Sequence, residues 1–425
     1  MAQYTGLLGI LVILGIGYAF SAHRRHIKPR TIIVGVALQF VLAFTLLRFP
    51  PVVAMFNVFA TGVTRVISFA DAGTEFIFGK AADASGPWGF IFAVKVLPII
   101  IYFAALMAVL YHLGIMQRVV AVLAWVLRRA LGISGAEALS AAANIFLGQT
   151  EAPLTVKPFI AGMTRSQIMC IMVGGFATIA GSVMAAYIVM VGGEDPAMRI
   201  EVAKHFMTAS VMSAPAGIVM AKLLMPETEP VREESLESLR NMPHTTVNVM
   251  DAAAEGATDG LRLALNVAAM LVAFVALLAM LNYPLAAISE IDSIASWRAQ
   301  HGIPVLTFQN LLGYLFTPLA WCLGVGADAQ KVGSLMGQQV IATEFVAYVD
   351  LANSVKDGSI SLRGSQIATY ALCGFANLPS IAIQIGGLSA MAPNRRGDFA
   401  QLGLRGMIAG ALACWMTGAV AGLFL

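Results

Sequence analysis

Long apolar stretches separated by short polar segments dominate the chain. A helix needs about 20 apolar residues to cross a hydrocarbon core about 30 Å thick, and several stretches with almost no charge reach that length. The pattern predicts an all-α polytopic membrane protein with eight transmembrane helices. These lie at residues 5–22, 31–47, 96–117, 166–193, 206–225, 263–289, 364–394 and 406–425.

Two further apolar stretches are not predicted to cross the membrane as single helices. Residues 302–327 contain Pro304, Gly313 and Pro318, and we expect this stretch to be interrupted and to return to the side it entered from. Residues 50–84 mix apolar side chains with charged ones, which is typical of a helix lying in the membrane interface. The charged residues in this stretch include Arg65, Asp71, Glu75 and Lys80.

Basic clusters predict the orientation of the spans, since Lys and Arg collect on the cytoplasmic side of short loops. The clusters surround Arg24-Arg25, Arg128-Arg129 and Arg395-Arg396. Eight crossings place all three on the cytoplasmic side and both termini in the periplasm. The polar, Glu-rich segment 226–248 is then a cytoplasmic linker.

Composition agrees with a membrane protein. Hydrophobic residues make up 59% of the 425 residues and charged residues 12%, whereas a soluble domain carries about 25% charged residues. The net charge of +3 gives no indication of a nucleic-acid partner. The four cysteines show neither metal-ligand nor disulfide spacing, and we expect them to pack as small apolar residues.

Two regions of the chain resemble each other. Thr150-Glu151-Ala152-Pro153 precedes Gly175-Phe176-Ala177, and Thr343-Glu344-Phe345-Val346 precedes Gly374-Phe375-Ala376. The span count makes these repeats inverted. Paired, interrupted apolar segments of this kind are typical of secondary transporters, whose sites lie near the bilayer midplane. Chance matching of small apolar residues is the alternative.

Two carboxylates stand out because charge within a membrane is expensive. Glu151 and Glu344 lie in apolar surroundings, where a carboxylate can accept hydrogen bonds from sugar hydroxyls or ring N–H groups. A structural ion pair, such as Glu151 with Lys157, is the alternative. Gln149 and Thr150 add donors and acceptors that suit a nucleobase edge, although helix–helix hydrogen bonding would use the same groups.

The segment Asn377-Leu378-Pro379-Ser380 interrupts a long apolar stretch. Broken helices at membrane depth are tolerated where they line a cavity, so we expect Asn377 and Ser380 to face one. A simple proline kink is the alternative. Asn144 and Thr178 could contribute oxygen ligands to a sodium ion, together with neighbouring carbonyl groups.

With these motifs in hand, the chain resembles the concentrative nucleoside transporter family. The resemblance rests on Gly148-Gln149-Thr150-Glu151-Ala152-Pro153, Glu344-Phe345-Val346-Ala347-Tyr348, Gly374-Phe375-Ala376-Asn377 and Ser380-Ile381-Ala382, and it extends over essentially the whole chain. One departure is Thr343, where many relatives have Asn; another is Thr178, where Ser would also serve.

The resemblance implies a role for each matched residue. The nucleobase would be bound by Gln149, Thr150, Glu151 and Val183, and the ribose by Glu344, Asn377, Ser380 and Phe375. A sodium ion would be held by Asn144, Leu147, Thr178 and Ile179. No cofactor is implied beyond this coupling ion.

The resemblance also implies an architecture and a location. Residues 1–133 would form scaffold spans with an interfacial helix, and 134–225 a first repeat of re-entrant hairpin, broken span and following span. Residues 226–303 would form the acidic linker and a central scaffold span, and 304–425 the second repeat. The expected protein is a homotrimer in a bacterial inner membrane, importing a nucleoside such as uridine by an elevator mechanism.

Other functions remain as alternatives. Some bacterial members couple to protons instead of sodium, and a channel or facilitator would also place polar residues at the midplane. A membrane enzyme is disfavoured. Gly132-Ile133-Ser134-Gly135 matches an intramembrane serine protease motif, but such a serine needs a histidine in a later span. We expect His205, His244 and His301 at span edges or in loops.

Overall fold

The computed structural model describes residues 2–83, 91–193, 195–231, 246–301 and 305–425, and every regular element in those residues is helical. The first third contains α1 Ala2–Ala19, α2 Pro29–Leu47, α3 Pro50–Phe78, α4 Phe92–Lys95, α5 Leu97–His112 and α6 Ile115–Leu131. The middle contains α7 Gly135–Ala143, α8 Lys157–Ile160, α9 Arg165–Phe176, α10 Gly181–Gly192 and α11 Pro196–Leu224.

The final part begins with the 41-residue helix α12 Val249–Ser289. It continues through α13 Asp292–Gln300, α14 Phe308–Cys322, α15 Ala329–Ile341, α16 Glu344–Lys356, α17 Leu362–Ala371, α18 Leu378–Met391 and α19 Arg396–Gly422. The Glu-rich part of the predicted linker, with Glu233, Glu234 and Glu237, lies outside the described residues, as do Pro304 and His244.

Within the described residues, seven helical segments are long and apolar enough to cross a membrane. They are Pro29–Leu47, Pro50–Ala82, Phe92–His112, Arg165–Gly192, Pro196–Leu224, Val249–Ser289 and Pro393–Gly422. Two shorter apolar helices, Tyr4–Ala19 and Leu378–Met391, match parts of two other predicted spans. The multi-pass, all-helical prediction is confirmed, whereas the number of crossings and the interfacial placement of α3 stay predictions.

The helices fall into a buried set and a peripheral set. The most apolar windows of Arg165–Gly192, Pro196–Leu224 and Pro393–Gly422 are 94%, 89% and 83% buried, but that of Val249–Ser289 is only 11% buried. The core therefore lies around α9, α10, α11 and α19. The apolar surface of α12 is left for lipid or for another protein surface.

Several predicted boundaries are wrong for identifiable reasons. The stretch 96–117 is two helices, because Gly114 takes a left-handed conformation (φ 73°) and α6 begins after it. Helix α11 begins at Pro196, well before 206, because Asp195 accepts a hydrogen bond from the Ala197 N–H and caps the helix. His205 is therefore inside a helix and buried, not at a span edge.

The interruptions predicted at Gly313 and Pro318 are also wrong, because α14 runs through both residues. Gly313 instead allows α14 to pack closely against α15. A Cβ atom there would lie 3.1 Å from the carbonyl oxygen of Gln330 on α15, closer than most real contacts. Helices α14 and α15 thus pack side by side with little separation.

Two helix breaks are present, and the sequence itself predicted the one at Asn377–Ser380, whereas a broken span in 134–225 was implied only by the family resemblance. One separates α9 from α10 at residues 177–180, and the other separates α17 from α18 at residues 372–377. The second break is a new helix start and not a proline kink. Asn377 is the N-cap, its side chain accepts from the Ser380 N–H at 2.9 Å, and Pro379 occupies the first turn.

The two breaks lie against each other in the core. Gly374 makes this possible, since a Cβ atom there would lie 2.6 Å from the carbonyl oxygen of Phe176 and 2.4 Å from Cys414 Sγ. Any larger side chain would push α9, α17 or α19 apart. The interrupted backbone of both spans is therefore enclosed by protein, as unpaired peptide groups at membrane depth require.

Candidate functional site

Glu344 is the first residue of α16 and is buried, with 5% of its surface exposed. The helix starts here because the Thr343 hydroxyl accepts a hydrogen bond from the Val346 N–H. Thr and Asn are both good N-cap residues, so the departure at Thr343 preserves this helix start.

A continuous hydrogen-bonded chain runs from Glu344 across the core. Asn377 Nδ2 donates to Glu344 Oε2 at 2.7 Å, and Asn377 Oδ1 accepts from the Ser380 N–H at 2.9 Å. Gln149 Nε2 then donates to Ser380 Oγ at 3.1 Å. The structure thus brings together three separate parts of the predicted site: the start of α16, the break before α18 and the loop after α7.

The loop after α7 carries the other polar candidates. Gln149 is buried, and its Oε1 finds no hydrogen-bond partner among the described residues. Thr150 packs against α18, because a Cβ atom on Gly387 would lie 3.0 Å from its Cγ2. Glu151 is exposed and accepts from the Gly148 N–H at 3.1 Å. A buried amide oxygen without a partner is a group that a ligand could satisfy.

Sequence reasoning missed Tyr187, which completes this network. Its hydroxyl donates to Glu344 Oε1 at 2.9 Å, and its side chain is fully buried. Tyr187 lies one helical turn after the predicted site residue Val183, on the same face of α10. The four-residue spacing from Val183 could have identified Tyr187. In sequence, an uncharged aromatic residue in an apolar span otherwise looks the same as a core residue.

Val183 and Phe375 border the same region. Val183 is buried on α10, and Phe375 is half-buried in the second helix break. The Phe375 N–H donates to the carbonyl oxygen of Thr178 at 3.2 Å. The backbone that carries the Phe375 side chain is therefore bonded directly to the first break.

Asn144 and Thr178, the proposed sodium ligands, lie where α7 ends and where α9 is broken. Asn144 Nδ2 donates to the Ser140 carbonyl at 3.0 Å, while Asn144 Oδ1 is buried and unpartnered within the described part of the chain. The two elements touch, since a Cβ atom on Gly174 would lie 3.0 Å from Asn144 Nδ2.

The chemistry of these groups fits an alkali cation. Thr178 Oγ1 donates its proton to the Gly174 carbonyl at 2.9 Å, so its lone pairs remain available. Ser140 Oγ is a second buried oxygen without a partner among residues that the structure describes. Leu147 and Ile179 lie on the two loops beside Asn144 and Thr178, which are joined by the Gly181 N–H donating to Phe146 O at 2.9 Å.

Ser134 has a structural role and not a nucleophilic one. It is the N-cap of α7, where it forms a capping box with Glu137, and its hydroxyl accepts from Gln167 Nε2 at 3.0 Å. Glu137 pairs with Lys222 at 2.5 Å, and Glu227, expected in the linker, lies 3.7 Å from the same Lys222. These groups stabilise the starts of α7 and α9 beside the end of α11.

Comparison with known proteins gives the same family along the whole chain. Residues 8–81 match the N-terminal model of the Na+ dependent nucleoside transporters, residues 205–422 match the C-terminal model, and residues 93–194 match a model described as nucleoside recognition. Together these matches include all the candidate site residues.

Individual relatives agree with this family. The chain is 45% identical to an uncharacterised transporter of Haemophilus influenzae, over 100% of this chain and 98% of that one. It is 37% identical to sodium/nucleoside cotransporter 1 of Mus musculus, over 99% of this chain and 64% of that one.

Solved structures extend the similarity to the fold. CNTnw in an inward-facing substrate-bound state superposes with a TM-score of 0.89 at 41% identity, over 100% of this chain and 98% of that chain. A CNTnw variant in an outward-facing state gives a TM-score of 0.90 at 40% identity, with the same coverage. The chain therefore belongs to the Na+-dependent, concentrative nucleoside transporter family, whose members are membrane transporters and not enzymes.

Proposed function

We propose that this protein is a secondary active symporter that imports nucleosides through alternating access, driven by an inward sodium gradient. The observation that carries the proposal is the chain of hydrogen bonds from Glu344 through Asn377 and Ser380 to Gln149. It offers acceptors and donors from both halves of the protein at one buried place. Family membership supports both the substrate class and the ion.

The ribose would be bound at the Glu344 end. A buried carboxylate is a strong acceptor for sugar hydroxyls, and hydrogen bonds to charged groups contribute about 1.5–3 kcal/mol. Asn377 and Ser380 add polar groups to the same end, and Phe375 supplies an apolar side chain. The nucleobase would be bound at the other end by Gln149, Thr150, Glu151 and Val183, where the free Gln149 Oε1 can accept from a base N–H.

The sodium ion would be held by Asn144 Oδ1, Thr178 Oγ1 and the carbonyl groups of Leu147 and Ile179. Asn144 and Leu147 stand on the same short loop as Gln149, five residues or fewer away. A cation that orders this loop would also fix Gln149 for the nucleobase. Coupling between the ion and the nucleoside is then reciprocal: each ligand raises the affinity for the other by the same factor.

The architecture that fits this function has eight crossings, two re-entrant hairpins and an inverted repeat. Helix α7 with the 3₁₀ segment Ala152–Val156 would form the first hairpin, and α15 with α16 the second. Broken spans α9–α10 and α17–α18 would complete the two repeats, residues 134–225 and 304–425. Residues 1–133 and 226–303 would contribute the scaffold, and α3 would lie in the interface.

In this arrangement the buried helices would move together as a transport body against the peripheral scaffold, as in an elevator. The large difference in burial between α11 and α12 supports such a division. Related structures in outward- and inward-facing states support alternating access. The protein would act as a homotrimer in a bacterial inner membrane, with both termini in the periplasm.

Equilibrium binding of radiolabelled uridine to the purified protein tests the proposed site and ion together. Binding should tighten at least tenfold between sodium-free choline buffer and saturating sodium at constant ionic strength. If lowering the pH replaces the sodium requirement, the protein is a proton-coupled symporter. If neither sodium nor lower pH changes the uridine affinity, the coupled mechanism is wrong and a facilitator or channel is the better account.

A further inference from the structure

Both carboxylate oxygens of Glu344 are held by protein donors on different elements. Asn377, at the second helix break, donates to Oε2 at 2.7 Å, and Tyr187, on α10, donates to Oε1 at 2.9 Å. A carboxylate with one donor can rotate about its last side-chain bond, but one with a donor at each oxygen is fixed in plane and direction. Tyr187 therefore provides half of that constraint.

The hydroxyl of Tyr187 is itself held in place by its ring. The ring stacks on Phe206 with centroids 5.9 Å apart, and it lies 5.2 Å from Phe345 and 4.4 Å from Tyr348. Aromatic neighbours on three sides leave little room for another rotamer. The position of the phenolic oxygen is thus determined by packing between α10, α11 and α16.

We propose that Tyr187 is a positioning residue that orients Glu344 toward the sugar, and thereby sets how strongly the transporter distinguishes a nucleoside that carries the recognised ribose hydroxyl from one that lacks it. Because each carboxylate oxygen accepts more than one hydrogen bond, Glu344 keeps lone pairs for the substrate after both protein donors are satisfied. This inference rests on the proposed role of Glu344 in binding ribose.

The test variant is Tyr187→Phe, which removes one oxygen and retains the ring. The chain offers a matched control in Tyr348→Phe. Tyr348 is equally buried in the same aromatic cluster, but its hydroxyl donates to the Thr369 carbonyl at 2.8 Å and not to Glu344. The two variants lose the same atom from the same environment and differ in whether Glu344 loses a donor.

The measurement is equilibrium binding of uridine, 2′-deoxyuridine and 3′-deoxyuridine to the purified full-length variants at saturating sodium. Tyr187→Phe should weaken uridine binding about tenfold or more. The loss should shrink to about threefold or less for the analogue that lacks the hydroxyl accepted by Glu344. Tyr348→Phe should change the affinity for all three ligands by one common factor.

An equal loss for all three ligands in Tyr187→Phe would overturn the inference, and so would the same selective pattern in Tyr348→Phe. If Tyr187→Phe is too unstable to purify, competition between the three nucleosides for uptake into membrane vesicles gives the same answer. The ratio of inhibition constants does not depend on how much protein has folded.

A Glu344→Gln variant separates this inference from the proposed function. Unchanged uridine binding in Glu344→Gln would contradict the ribose assignment and remove the basis for Tyr187. Loss of hydroxyl discrimination in Glu344→Gln, together with full discrimination in Tyr187→Phe, would uphold the ribose assignment and reject the Tyr187 role alone.

Discussion

The backbone N–H of Phe375 donates to the carbonyl oxygen of Thr178 across 3.2 Å, and this bond joins the two interrupted spans of the protein. Thr178 belongs to the proposed sodium site and Phe375 to the proposed nucleoside site. The two breaks are therefore in direct contact. If sodium and the nucleoside bind where we propose, this contact and the loop that carries Asn144 and Gln149 connect their two sites.

Replacing Asn377 with Asp separates two roles of this residue. The carboxylate retains the acceptor that caps α18, so the helix start should persist. However, it places a second negative group where Nδ2 now donates to Glu344 at 2.7 Å. We expect uridine affinity to fall by tenfold or more at neutral pH, with a thermal unfolding midpoint close to that of the wild type. Asn377→Ala also loses the helix cap, so it should lower both the uridine affinity and the thermal unfolding midpoint.

A wild-type affinity in Asn377→Asp would contradict the assignment of the Glu344–Asn377 pair to the substrate. The binding assay and the thermal melt should be performed on the same preparation, so that a loss of folded protein is not mistaken for a loss of affinity.

Asn144→Ala should lower the affinity of the protein for sodium and leave the nucleoside site intact. The substitution removes the unpartnered Oδ1 but does not reach the Glu344 network. We expect the sodium concentration that gives half-maximal uridine binding to rise tenfold or more, while the uridine affinity at saturating sodium stays within a factor of about three. Gln338→Ala is a control, because its Oε1 is also buried and unpartnered in the described structure but lies on α15.

If Asn144→Ala lowers uridine affinity equally at all sodium concentrations, the residue serves the loop's structure and not the ion. The proposed sodium ligands would then have to be sought elsewhere.

Gly374→Ala should destabilise the protein, because the new methyl group would lie 2.6 Å from the Phe176 carbonyl and 2.4 Å from Cys414 Sγ. Overpacking of this kind typically costs about 1–3 kcal/mol. Gly386→Ala is the matched control, since a Cβ atom there meets nothing within 4 Å. Thermal unfolding in detergent should show a lower midpoint for the first variant and an unchanged or higher midpoint for the second.

Lys222→Met should leave Glu137 as an uncompensated buried carboxylate, because the two groups form an ion pair in which Glu137 is only 2% exposed. Removing one partner of a buried pair costs about 3–5 kcal/mol. Adding Glu137→Gln should restore much of the lost thermal stability. If the double variant is no more stable than Lys222→Met, the pair is not the source of the loss.

The sequence predicted which polar residues meet in the core better than it predicted the exact helix boundaries. Glu344, Asn377, Ser380 and Gln149 could be found because polar groups in apolar spans are costly and therefore conspicuous. Tyr187 could not, because its hydroxyl looks like any tyrosine in a core until its distance to Glu344 is known. The exposed Glu151 was expected to interact with either a ligand or Lys157, and it bonds to its own loop at Gly148.

The errors in the fold have two causes. Gly313 and Pro318 predict local helix breaks, but contacts with α15 favour a continuous α14 despite them. Conversely, the hydrophobic pattern of 96–117 is continuous across the end of α5. That end depends on the backbone conformation of Gly114. Tertiary packing keeps α14 continuous and the local conformation of a glycine ends α5, and hydrophobic periodicity alone predicts neither.

Uptake into proteoliposomes tests the central claim most directly. The purified protein is reconstituted, and radiolabelled uridine is followed under an inward sodium gradient, an inward proton gradient or no gradient, with Glu344→Gln as the inactive control and the exposed Glu229→Gln as the neutral one. The account predicts accumulation above the external concentration with the sodium gradient alone. Mere equilibration in every arm, or uptake of no nucleoside at all, would contradict it.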